Sequence, residues 1–265
     1  MTSKSSLAEA LERSTPPMGG FSLAVVRLEV RRLLRNRRTM LLAILLPVIF
    51  FVGFGRSAGY VHQSAGQGNM TASVMISIAL FGAVFATATG GAMVSIERAQ
   101  GWSRQLRVTP LSATAYIVIK MLASLSLAAG AVAAVYLVGA ASSGASMPTD
   151  LWVITAICVW IGSLIFSALG LFIGYLLPSE NVLQIISLVL VVCCFAGGLF
   201  VPVTQFPHTY ASLAKFTPLY GLNELVHYPL VGGHFEWIWV LNLIVWLGAF
   251  VAGAAWQFRR DTARV

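Results

Sequence analysis

The sequence predicts an all-α polytopic membrane protein, and three observations carry that expectation. Hydrophobic residues fill 58% of the 265 positions, while Asp, Glu, Lys and Arg together fill only 10%. Average soluble domains carry about 25% charged residues. The mean hydropathy is +0.83, and the apolar residues gather in long runs. The basic residues flank those runs. In a soluble chain a net charge of +8 and a pI of about 9.9 would point to nucleic acid. Here they follow membrane topology, so no nucleic-acid partner is expected.

A hydrocarbon core about 30 Å thick takes about 20 apolar residues of helix. Six segments qualify, at roughly 39–57, 72–95, 114–138, 151–176, 182–202 and 237–257. Trp237 and Trp239 open the last and Trp256 closes it, a spacing that suits two aromatic belts, and Trp152 opens the fourth. Cys158, Cys193 and Cys194 all lie inside apolar runs and read as small hydrophobes, not as a disulfide or metal site. Residues 1–38 show no apolar run followed by a small-residue cleavage site, so the first span is expected to stay in the protein.

Orientation follows from Lys and Arg. Eight precede the first span, three (Arg98, Arg104, Arg107) follow the second, and three (Arg259, Arg260, Arg264) follow the sixth. With six spans these fourteen share one side, with Lys120 close to it, and only Arg56 and Lys215 lie opposite. The positive-inside bias then places both termini in the cytoplasm of a multi-pass plasma (inner) membrane protein.

Residues 21–38 read as an amphipathic helix. Arg27, Arg31, Arg35 and Arg38 recur at four-four-three spacing on one face, and Leu23, Val26, Val30, Leu33 and Leu34 cluster on another. Such a helix is expected to lie on the inner membrane surface near anionic lipid headgroups. Residues 1–20, with Pro16, Pro17, Gly19 and Gly20, are expected to form a disordered tail.

Small residues recur every four positions at Gly82, Ala86 and Gly90, and at Gly170 and Gly174, as close helix–helix packing requires. The stretch 203–233 is broken by Pro207, Pro218 and Pro229 yet rich in apolar residues. It reads as one or two short re-entrant helices on the outer side, since irregular backbone at membrane depth needs protein shielding or a cavity. Gly197, Gly198, Pro202 and Pro218 are its candidate outer-gate residues.

No catalytic constellation is visible. His62, His208, His227 and His234 all fall in expected outer segments, no HExxH or GxSxG occurs, and no clear buried carboxylate is apparent. The absence of intramembrane ionisable groups argues against an ion-coupled carrier. No lysine follows a glycine, so the chain lacks a phosphate-binding P-loop, and any ATP chemistry must come from another chain.

Between the second and third spans stands a compact charged hairpin, ERAQGWSRQLRVTPLS, at 97–112. Its pattern is Glu97-x3-Gly101-x4-Leu106-x2-Thr109-Pro110-Leu111-Ser112. With the basic helix, six spans and the broken apolar segment before the last span, it makes residues 20–260 resemble the ABC-2 type transporter permeases, in particular daunorubicin-resistance-like subunits of drug exporters.

The resemblance implies a homodimer of permeases docking two copies of a cytoplasmic ATP-binding cassette subunit. ATP and Mg would sit on that partner, and no cofactor on this chain, which would not itself be an enzyme. Residues 97–110 would be the coupling helix. Glu97 would cap or brace the junction with span two, and Gly101 would permit a bend. Arg104 and Arg107 would meet acidic groups, Leu106 and Thr109 belong to the same motif, and Pro110 would stop the helix. The basic helix bearing Arg27, Arg31, Arg35 and Arg38 would be the interface helix. The expected activity is outward movement of a hydrophobic or amphipathic cargo: a drug, a lipid or a glycolipid. The alternatives are an ion-coupled secondary carrier, disfavoured because no second hairpin follows span five, and a non-transporting membrane enzyme or scaffold, disfavoured by the missing catalytic cluster.

Overall fold

A computed structural model describes residues 20–55, 57–101, 111–142 and 144–263. The expected tail at 1–19 and the hairpin positions 102–110 lie outside the described residues. Helix α1 (Leu23–Arg35) opens on Ser22, whose hydroxyl accepts from the Ala24 N–H at 3.2 Å. Helix α2 (Arg37–Phe50) runs into a π-turn at Phe51–Gly55. A short helix α3 (Ala58–His62) and a two-residue hairpin, β1 (Ser64–Ala65) against antiparallel β2 (Gly68–Asn69), follow. Then come α4 (Met70–Ala92), α5 (Val94–Ala99), α6 (Ala113–Ala141), α7 (Thr149–Gly162), α8 (Leu164–Leu176) and α9 (Val182–Ala196). A 3-10 turn at Val203–Gln205 leads to α10 (His208–Ala214), α11 (Tyr220–Val231) and α12 (Trp237–Ala263).

Among the described residues, four helices are long and apolar enough to cross a membrane: Met70–Ala99, Thr114–Ala141, Thr149–Leu176 and Trp237–Arg260. They match the second, third, fourth and sixth expected spans. The first apolar run forms α2 and the π-turn that continues it to Gly55, and the fifth forms the shorter α9, Val182–Ala196. Pro47 sits inside α2, and its last turn widens to π geometry. Helix α9 stops at Ala196, six residues before the expected end, because Gly198 adopts a left-handed φ of 80° that no helix can continue through. Fifteen residues of α9 extend about 22 Å at 1.5 Å per residue.

Helix α4 is the centre of the bundle. It is buried along most of its length and packs against α2, α6, α7, α8, α9 and α11. Lipid tails are as apolar as leucine, so helices associate through close contact and hydrogen bonds more than through water exclusion. The small residues supply the contact. A Cβ on Gly170 would overlap the Ala88 carbonyl oxygen, and one on Gly91 would overlap that of Ser167. Gly90 faces Ser124, and Gly82 faces Pro47. Hydroxyls stitch the same seam: Thr87 donates to the Ser163 carbonyl at 2.9 Å, and Ser124 and Ser167 share a hydrogen bond of 2.6 Å.

The bundle has two unlike ends. One, the junction end, gathers α1, α5, the start of α6 and the end of α8. The other, the hairpin end, gathers β1–β2, the end of α6 and α11, where the Gln67 N–H donates to the Leu230 carbonyl at 2.8 Å. The broken segment is indeed short helices, with Leu219, Leu222, Val226 and Leu230 fully buried. Trp237 (77% exposed) and Trp256 (58%) stand outside as belt residues do, but Trp239 is buried against Tyr228 and Phe235 and corrects the expected belt. All three cysteines are free thiols.

Gly170→Ala is expected to cost about 1–3 kcal/mol, the range for overpacking, while Gly248→Ala, which meets nothing within 4 Å, should be neutral. Thermal unfolding of the two variants in detergent checks this. Equal midpoints would remove the close approach as a stabilising feature.

Candidate functional site

At the junction end, three elements meet on one carboxylate. Glu97 stands on α5, Lys120 and Tyr116 lie one turn apart on α6, and Glu29 and Arg32 lie one turn apart on α1. Lys120 Nζ donates to Glu97 Oε1 at 2.6 Å and to Glu29 Oε2 at 2.9 Å. The Tyr116 hydroxyl donates to Glu97 Oε2 at 2.9 Å. Arg32 Nη1 lies 3.1 Å from Glu97 Oε1 and 3.6 Å from Glu29 Oε1. Glu97 and Lys120 are each 4% exposed and Glu29 is 9% exposed. Two carboxylates face two cations, so the cluster is balanced.

The other side of α5 grips α8. Arg98 donates to the carbonyls of Tyr175 at 2.9 Å and Gly174 at 3.3 Å, and Ser95 donates to that of Leu177 at 2.7 Å. These carbonyls are the unsatisfied acceptors of a helix C-terminus, where a cation also meets the negative end of the dipole. Helix α5 then ends at Gly101, whose φ of 79° and N–H bond to the Arg98 carbonyl at 3.0 Å make a left-handed stop. Arg104, Leu106, Arg107, Thr109 and Pro110 lie outside the described residues.

The expected interface helix needs two corrections. It ends at Arg35, because Asn36 leaves helical geometry with ψ of 82°, so Arg38 belongs to α2 and the row of four arginines is interrupted. Arg27, Arg31 and Arg35 do share an exposed face. The buried face, however, carries Glu29 and Leu33 against α6, while Leu23 (75% exposed) and Leu34 (42%) flank the arginines. The absence of buried carboxylates is also overturned, by Glu29 and Glu97. Two signals were available in the sequence. Lys120 is a cation inside an apolar run, and Glu29 is the one acid between Glu12 and Glu97.

At the hairpin end a cavity of about 640 Å³ opens between the end of α2, the start of α4, residues 195–204 and α11. Gly198 and Pro202 line it. Gly197 sits beside it, where a Cβ would press on Leu219 at 2.7 Å. Pro218 lies in the turn between α10 and α11 and is not among the lining residues. His227 lines this cavity from α11. Its Nδ1 is 2.9 Å from the Asn223 carbonyl, and its Nε2 is 3.0 Å from Ser77 Oγ and 3.3 Å from the Ser73 carbonyl. Burial holds its pKa below the ordinary value. Among the described residues no cluster of His, Cys, Asp and Glu is arranged to hold a metal ion.

A polytopic helical bundle, with a charged surface helix locked to the base of its central span and a cavity at the far end, defines a membrane permease. The chain belongs to the ABC-2 type transporter family, which it matches over residues 22–231, from the cap of α1 to the end of α11. It is 23% identical over 237 residues to the "Putative transport permease YvfS" of Bacillus subtilis (strain 168), covering 89% of this chain and 96% of that protein. The chain is thus a transporter permease subunit, of a family whose members generally work with an ATP-binding subunit.

Removing one partner of a buried ion pair strands the other charge. Lys120→Met is therefore expected to lower stability by about 3–5 kcal/mol, and Lys120→Met with Glu97→Gln by less than the sum of the two single changes. Thermal unfolding in detergent reads this; additive losses would dissolve the cluster as a unit. A second measurement concerns His227. Its folded pKa is lowered, so its contribution is present above its unfolded value of about 6.5 and lost as pH falls through the folded value. Between pH 7 and 5 the wild-type midpoint should fall more than that of His227→Gln, and parallel curves would refute the assignment.

Proposed function

We propose that this chain is the membrane-spanning half of an ATP-driven exporter, with residues 97–110 as the coupling helix that receives the motion of a separate ATP-binding cassette subunit. The observation that carries this reading is the Glu97 cluster, placed where the hairpin leaves the bundle. A push on Gly101 reaches Glu97 four residues away, and Glu97 is bonded to α1 through Arg32 and to α6 through Lys120 and Tyr116. Arg98 and Ser95 carry the same push to α8. Separating these elements would expose unpaired buried charge, at several kcal/mol per ion, so they move together.

In this reading the short helices Ala43–Gly55 and Val182–Ala196 complete six spans, and the basic residues set the junction end and both termini in the cytoplasm of the plasma (inner) membrane. Arg27, Arg31 and Arg35 would face acidic groups of the ATPase or anionic lipid. Two permease copies would pair as a homodimer with two ATPase copies, and ATP and Mg would be held by the partner. Gly197, Gly198 and Pro202 would form the outer gate beside the cavity, with Pro218 fixing the turn behind it. The cargo would be hydrophobic or amphipathic. The ion-coupled alternative gains little from the buried carboxylates, because both are already satisfied by Lys120, and Glu97 also by Tyr116.

Co-expression with the cognate ATPase should give a stable complex of two copies of each. Transport by the permease alone at full rate without ATP would sink the reading. Within the complex, Arg104→Glu and Gly101→Val are expected to cut transport at least tenfold while membrane insertion and ATP hydrolysis persist, the valine adding about 1–2 kcal/mol of left-handed strain. Unchanged transport in both variants would remove the coupling helix from 97–110.

A further inference from the structure

We infer that His227 and Glu224 form a proton-operated latch between α11 and α4: the neutral imidazole ties α11 to Ser77, and the protonated ring leaves Ser77 to pair with Glu224 one turn back on its own helix. A carbonyl oxygen only accepts, so Nδ1, 2.9 Å from the Asn223 carbonyl, carries the proton of the neutral ring. Nε2 is then an acceptor, and the Ser77 hydroxyl donates to it across 3.0 Å. Among the described residues, no other side chain hydrogen-bonds α4 to α11. Protonation at Nε2 removes that acceptor and sets a positive charge against α4, where no residue from Met70 to Ala92 is titratable. The Ser77 oxygen and the Ser73 carbonyl, 3.3 Å from Nε2, are neutral acceptors, and a buried cation needs an opposite charge.

Glu224 supplies that charge. It stands three residues before His227 on α11, and helical side chains at that spacing are neighbours, about 5–6 Å apart at Cβ. Both residues line the same cavity. No ion pair reaches the Glu224 carboxylate among the described residues. Burial is the first cause that raises its pKa, Glu236 raises it further, and Lys215 opposes them. Burial likewise holds His227 down, so each charged form is costly alone and is relieved by the other. Nothing nearby competes for the imidazolium. Besides α4, α11 packs against α7 and α12. Helix α7 carries Asp150, exposed in its first turn, and the Cys158 thiol, and α12 has no charged residue before Arg259. Tyr60 is the remaining titratable residue of the cavity wall, and α11 itself adds Tyr220 and Tyr228.

Acid on the side from which the cavity is reached therefore loosens α11 from α4. That this side is the outer one rests on the proposed topology, but the latch itself needs neither ATP nor cargo. The purified full chain in nonionic detergent, carrying isotope-labelled histidine, would be titrated by NMR between about pH 7.5 and 5, with the His227→Gln spectrum assigning the ring. Amide hydrogen exchange of residues 220–231, corrected for its intrinsic pH dependence, would be followed over the same range. Corrected exchange should quicken about fivefold with the midpoint of the ring titration, and His227→Gln should abolish the change. Glu224→Gln should move the ring midpoint about one pH unit lower, because it removes the charge that favours the imidazolium. Exchange that is unchanged or slowed as the ring protonates would overturn the inference, since the charged ring would then still hold α4. So would a midpoint that Glu224→Gln leaves in place. The wild-type comparison of exchange with ring titration stands even where the variants fail to fold, and none of these results bears on the coupling test, which reads ATP-dependent transport.

Discussion

The constraint on which the rest of the structure depends is the burial of Glu97. A carboxylate at that depth is tolerable only with cations and donors around it, and the chain recruits them from two other helices. Lys120 and Tyr116 come from α6, and Arg32 comes from α1, with Glu29 balancing the second cation. Such pairing does not by itself make a fold more stable than a well-packed apolar junction would. It does make one arrangement much better than its neighbours, because each displaced partner leaves a stranded charge. The surface helix is thus held at a fixed place on the bundle despite its exposed and partly polar outer face.

The two ends of the bundle are built on opposite physical terms. At the junction end, charge pairing and helix capping hold short elements rigidly, and glycine contacts between α4 and α8 continue that rigidity inward. At the hairpin end the elements are short, broken by Pro202, Pro207 and Pro218, and separated by a cavity faced with aromatic rings. Dispersion contacts between rings tolerate sliding, whereas a buried ion pair does not. Rearrangement is therefore cheaper at the hairpin end.

What the sequence disclosed follows the same division. Long apolar runs and their basic flanks made four spans legible, and the four-residue rows of small residues marked close packing, with Gly170 against α4 and Gly82 and Gly90 against α2 and α6. Gly198, visible in the sequence, ends α9 early, an effect that apolarity alone does not register. The basic helix was legible as a helix, but its inward face was misread because the pattern weighed Leu23 and Leu34 and passed over Glu29. Glu97 was singled out only through a family motif. Its partners lie 65 residues before it and 23 after it, at Arg32 and Lys120, and one-dimensional pattern carries no distance information of that kind. The surroundings of His227 were hidden for a different reason: the broken segment was read as short helices, but only the packing of α11 against α4 brings the imidazole to Ser73 and Ser77.

The position of α4 joins these observations into one mechanical picture. Its continuation α5 bears Glu97, and its first two turns bear Ser73 and Ser77, which face the cavity. The twenty residues from Ser77 to Glu97 make about 30 Å of helix, and close packing along that length leaves little room for bending. Glu97 stands at one end of this closely packed length and Ser77 at the other. There α4 meets α11 through the bond between Ser77 Oγ and His227 Nε2 at 3.0 Å. The Asn223 carbonyl lies 2.9 Å from Nδ1 of the same imidazole. The wall of the cavity and the segment that leads into the hairpin thus share one helical run, α4 continued by α5, so a movement of α4 against α11 alters the hydrogen bonding of His227.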